Sequence, residues 1–137
     1  MSPTNPSLDL PFHRLREVRD AVLHLHKALL HSERGVYEQS HGPIKSKGEF
    51  FQLVVGDEWF SWLRPLSQFI VQIDEAVSAK EPITLDRANE LLNEARSLLH
   101  PAEEGTPREQ RYYQAIQRDP DIAFMHAAVS NLLSRDR

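Results

Sequence analysis

Hydrophobic positions recur every three or four residues along most of the chain, the spacing of one helix face. From about Phe12 to about His41 the step is kept by Leu15, Val18, Val22, Leu25, Leu29 and Val36, missing only at Ser32. His41-Gly42-Pro43 then supplies a stop, because glycine takes the left-handed conformation after a helix and proline cannot continue one. Residues 1–11 carry Pro3, Pro6 and Pro11 without periodicity, which predicts a loose arm before a single domain over 12–137.

A second long helical pattern follows, KGEFFQLVVGDEWFSWLRPLSQFIVQIDEAVSA. Its first part places Phe50, Leu53 and Val54 inward with Phe51 at the edge. Its second part restarts as Trp59, Trp62, Leu63, Leu66, Phe69, Ile70, Ile73 and Val77. At about 100° per residue the two faces point about 120° apart. Gly56 weakens the helix there, Asp57 caps a new one and Pro65 removes a donor, so a bend or break near residue 56 is expected. A strand over FFQLVV has no visible partner.

Three shorter helices complete the pattern. Thr84 caps one that runs to about Leu99, with Leu85, Ala88, Leu92, Ala95 and Leu99 inward and Leu91 and Leu98 widening the face. Thr106-Pro107-Arg108-Glu109 is a capping box with proline at the first helical position, and it opens a short helix through QRYYQAIQR. Asp119-Pro120-Asp121 repeats the cap-then-proline order and opens a last helix, with Ile122, Met125, Val129, Leu132 and Leu133 inward. The expected fold is all-α: a compact four- or five-helix bundle, two long helices followed by shorter ones.

Composition changes this picture mainly by exclusion. A chain of 137 residues can bury a core without staples. Its formal charge of −4 is not the footprint of a general nucleic-acid or anionic-membrane binder. The absence of cysteine removes disulfides, thiolate metal sites and cysteine nucleophiles. No apolar run approaches the ~20 residues of a membrane span, and the first ten residues lack signal-peptide organisation. A cytoplasmic location is expected.

Candidate chemistry concentrates in the first long helix. His24, His26 and His31 are close in sequence, yet no two are three or four residues apart, so they cannot share a metal on one face. On a wheel with Leu15 at zero, the apolar face extends about 80° to either side, to Leu25 and Leu23. His24 and His31 fall opposite and are expected in solvent. His26 and Glu33 fall near the middle of the face, with Arg19 and Tyr37 slightly to one side. Arg19, His26 and Glu33, each seven residues from the next, form a polar stripe. A charge buried there costs several kcal/mol unless paired. Three readings follow: a network paired across helices, with Tyr112 and Tyr113 as partners for Glu33; a pocket in which His26 and Glu33 act as ligand, metal or proton-transfer groups; or a misjudged wheel phase that leaves the residues exposed.

Other constellations add little. A di-iron bundle needs two Glu-x-x-His motifs, and only Glu38-Gln39-Ser40-His41 fits. No nucleophile elbow, phosphate loop or dinucleotide fingerprint occurs. HRLREVR and KSK read as solvated surface. Catalytic residues, bound metal and cofactor are therefore expected to be absent. Wide apolar faces on both long helices suggest a non-catalytic interaction or regulatory module, self-associating through the first or second helix or docking another protein. The competing expectation is a small-ligand or metal-binding bundle, or an enzyme, built on His26, Glu33 and Tyr37.

Overall fold

The computed structural model describes the backbone of residues 6–134 and side chains from Leu10 to Ser134. It is all-helical, with no strand among the described residues. Six α-helices occur in chain order: α1 (Pro6–His41), α2 (Lys47–Gly56), α3 (Arg64–Ser78), α4 (Leu85–Leu98), α5 (Pro107–Arg118) and α6 (Pro120–Ser134), with a 3-10 turn at Glu58–Leu63 between α2 and α3. This corrects the expected count of four or five.

The correction arises mostly in the second long pattern, which is not one bent helix but α2, the 3-10 turn and α3. Asp57 ends α2 in extended conformation and accepts a hydrogen bond from the Trp59 amide through its own carboxylate. A continuous α-helix would then drive the Pro65 ring against the Ser61 carbonyl. The 3-10 turn relieves this, and Pro65 falls in the first turn of α3, where its missing N–H costs nothing.

At the other end, α1 begins at Pro6 rather than near Phe12, so residues 6–11 of the expected arm are helical; residues 1–5 lie outside the described residues. Pro6 suits a first helical position, and Pro11, the sixth residue of α1, removes one backbone bond of its second turn. At its C-terminus α1 stops as the sequence suggests: Gly42 takes φ +83° and its amide donates to the Glu38 carbonyl at 2.9 Å.

α1 is the central element and packs against α3, α4, α5 and α6. Its Leu15, Val18, Val22, Leu25 and Leu29 are fully buried. They meet Phe69 and Ile73 of α3, Leu91, Leu92 and Ala95 of α4, Tyr112 and Ala115 of α5, and Ile122 and Val129 of α6 in one core. Three caps match their sequence signals. Thr84 accepts from the Arg87 amide, the Thr106–Glu109 capping box is complete, and Asp119 ends α5 while its carboxylate accepts from the Asp121 amide. Leu85, expected inward, is partly exposed at the start of α4.

α2 is the exception. It packs chiefly against the 3-10 turn that follows it and has no buried residue, although five of KGEFFQLVVG are large apolar side chains. Phe50 is held between the Arg34 guanidinium, 4.9 Å from its ring centre, and the edge of Phe60 at 5.8 Å. Arg64 ties down the other end, donating to the Val54 and Asp57 carbonyls.

Candidate functional site

The buried arc of α1 is narrower than the apolar face and is displaced from it. Val18, Val22, Leu25 and Leu29 lie at about −60°, −20°, −80° and −40° from Leu15, so the arc is centred near −40°. Leu23, at about +80°, is 40% exposed. The three members of the polar stripe, and Tyr37 beside them, therefore separate. Glu33, at zero, stays inside the arc; His26, Arg19 and Tyr37, at about +20° to +40°, fall on its rim and are half-buried. His24 and His31 face solvent.

Glu33 is 1% exposed, the one buried charged residue among those described. Its Oε1 accepts from Arg111 Nη2 and from the Trp62 indole at 3.2 Å. Its Oε2 accepts from Arg118 Nη2 at 2.8 Å. Arg118 also donates to Ser32 Oγ through Nε and Nη2. Arg111 reaches the Trp59 carbonyl and lies over the Trp59 and Trp62 rings, 5.2 and 5.7 Å from their centres. This corrects the expected tyrosine partners: Tyr112 and Tyr113 do not bond Glu33, and Arg111 and Arg118, seven residues apart on one side of α5, do. Charge-assisted bonds to both oxygens satisfy the desolvated carboxylate. Both oxygens are engaged, so Glu33 is not an idle base.

The remaining stripe residues have separate surroundings. Arg19 makes exposed contacts with Asp20 and, at 3.4 Å, with Asp74 of α3. Tyr37 stacks on His41 with centres 4.2 Å apart and meets the edge of Trp59 at 5.7 Å, which links it to the arginine-capped cluster through that ring. His26 has no hydrogen-bond partner among the described residues. It lines a cavity of about 220 Å³ with Val54, Val55, Phe60, Leu63, Arg64, Ser67 and Gln68. Burial holds its imidazole below the usual histidine range, so it is neutral near pH 7. His26 and Glu33 thus do not share a pocket.

A second polar array was not anticipated. The Tyr112 hydroxyl lies 2.6 Å from His126 Nδ1, and His126 Nε2 lies 3.4 Å from Ser130 Oγ. Burial raises the Tyr112 phenol above its usual range and lowers His126. His126 and Ser130 border an open cavity of about 410 Å³ with Arg96, His100 and Leu133. The i, i+4 spacing of His126 and Ser130 was readable, but nothing local assigns Tyr112 to them.

Among the described residues no group of three or more His, Asp or Glu side chains could hold a metal ion. Glu38 instead accepts from the Ile44 amide at 2.7 Å and pairs with Arg34, and His41 Nδ1 faces Ser40 and the Tyr37 carbonyl. No helix among the described residues is long and apolar enough to cross a membrane. The chain matches no protein-family model, and comparison with curated proteins and with solved structures finds no significant match.

Proposed function

We propose that this chain is a non-catalytic helical interaction module that works in the cytoplasm and self-associates through α2. The observation that supports this reading is the apolar surface of that helix: Phe51 is 68% exposed and Val55 57% exposed, one turn apart on one face. Gly48, three residues before Phe51, adds no bulk and leaves room for close approach, since a Cβ there would meet only Ser46 Oγ at 3.9 Å. A helix with little cover from its own chain and a flat apolar face suits an isologous contact with a second copy across a two-fold axis.

Magnitudes limit the strength of such a dimer. Burying a Phe or Val fully is worth about 1.5–3 kcal/mol. Four such side chains across the axis do little more than offset association costs of ~4–15 kcal/mol. A weak dimer, micromolar or weaker, is the expected state. Another protein offering a matching apolar helix is the alternative partner, while the net charge of −4 disfavours nucleic acid and anionic membrane. In this reading the Glu33 cluster sets register between α1 and α5 and performs no chemistry. Sedimentation velocity across a concentration series is the test: the native chain is expected to shift from monomer to dimer, and Phe51→Glu to remain monomeric. A strictly monomeric native chain at high micromolar concentration rules out self-association.

A further inference from the structure

We infer that the cavity beneath α2 is a binding site for a small amphiphile with one anionic head, of the class of medium-chain carboxylates. Its walls and its rim differ in chemistry. Phe60, Leu63 and Val54 supply an apolar interior, and the exposed Val55 borders it. Arg64 and Ser67, at the start of α3, supply cationic and hydroxyl donors beside it, and no carboxylate lines the space.

Arg64 carries five N–H donors, of which Nε and Nη2 serve the Val54 and Asp57 carbonyls, so further donors are available on the same planar head. It has no acidic partner among the described residues, and an arginine fork matches a carboxylate in shape and charge. His26, neutral and without a hydrogen-bond partner among the described residues, and Gln68 add further polar points to the lining, so a ligand there is oriented by a few polar groups set among apolar ones. A volume of about 220 Å³ falls below the ~300–1,000 Å³ of sites for drug-sized ligands, which suits a short aliphatic chain of about six to eight carbons. The roof is contributed by α2, which buries none of its residues, so entry does not require opening the core.

Amide NMR titration of the full chain with hexanoate, hexanol and hexylammonium tests the assignment. Hexanoate is expected to give saturable shifts at Val54, Val55, Leu63 and Ser67, hexanol to bind at least about tenfold more weakly for want of the charge-assisted contact, and hexylammonium not to saturate. Arg64→Gln is expected to weaken hexanoate about tenfold. Because Arg64 also anchors α2, a second variant, Ser67→Leu, fills the exposed mouth without touching that anchor and is expected to abolish the shifts. Absence of saturation at millimolar hexanoate overturns the inference. So do equal responses to all three compounds, shifts centred on Phe51 instead, or hexanoate binding that survives both variants.

Discussion

Arg118 Nη2 of α5 lies 2.8 Å from Glu33 Oε2 of α1, across 85 residues of chain, and with Arg111 on Oε1 it turns a costly buried carboxylate into the tie between two helices. Removing one side of such a pair leaves the other charge unpaired, which costs about 3–5 kcal/mol when the pair is buried. The arginines are about a third exposed and recover some hydration, so the loss falls on the carboxylate side.

Glu33→Ala is accordingly expected to destabilise the protein by about 2 kcal/mol, chiefly through the cavity and the lost tie between helices, because the two guanidinium groups regain some water. Replacing Glu33, Arg111 and Arg118 together by Met is expected to recover most of that loss. Urea unfolding measures both. A Glu33→Ala effect below about 1 kcal/mol removes the claim that the cluster ties the helices together.

Stability is expected to fall as pH drops below about 6.5. Burial keeps His26 and His126 below their usual range, so the unfolded chain binds more protons than the folded one once the pH passes under the unfolded value. Their contribution is complete above that value and is lost progressively on acidification. Urea midpoints between pH 8 and pH 5 read this directly, and His26→Asn with His126→Asn should flatten the slope. An unchanged slope in the double variant would assign the acid loss to carboxylates.

An alkaline limb is expected as well. Burial raises the Tyr112 phenol, so above about pH 10 the unfolded chain releases a proton that the folded chain keeps, and stability declines with rising pH. Phenolate absorbance measured beside unfolding should show Tyr112 ionising together with global unfolding. Ionisation of all three tyrosines in the intact fold contradicts its burial.

Two glycines of one region should respond with opposite signs. Gly42 sits at φ +83°, where a side chain costs about 1–2 kcal/mol, so Gly42→Ala is expected to destabilise. Gly35 lies within α1 with nothing within 4 Å of an added Cβ, and Gly35→Ala is expected to stabilise by about 1 kcal/mol. Thermal unfolding of both variants is the check, and equal signs would mean that the end of α1 is misplaced.

The opening of α5 offers a further check. Thr106→Ala is expected to cost about 1 kcal/mol. Gly105→Ala should disturb the same capping box from the other side, because a Cβ there would strike Glu109 Oε1 and come within 2.8 Å of the Ala102 Cβ. Unfolding midpoints of the two variants and their combination test this: the losses should not add, since both act on one cap. Additive losses would separate Gly105 from the box.

What the sequence determined by itself is mainly local. Helix periodicity, the caps at Thr84, Thr106 and Asp119 and the stop at Gly42 depend on residues within a turn of each other, and each is found where its signal lies. The same pattern singled out Glu33 as a charge on a packing face, since a wheel needs only rise and turn. Even the division of the second long pattern followed from Gly56, Asp57 and Pro65, though not its resolution into three elements.

Tertiary structure decided the rest. The wheel cannot say which 80° of a 160° apolar face a neighbour will cover; the 3-10 turn and α5 cover Glu33, while His26, Arg19 and Tyr37 are left on the rim. The arginine partners of Glu33 lie 78 and 85 residues away and its tryptophan partner 29. Arg111 and Arg118 stand seven residues apart, the spacing of the stripe they serve, but no local rule distinguishes them from solvated arginines. Long-range pairing is chosen by the free energy of the assembled core, in which a desolvated carboxylate must find its cations.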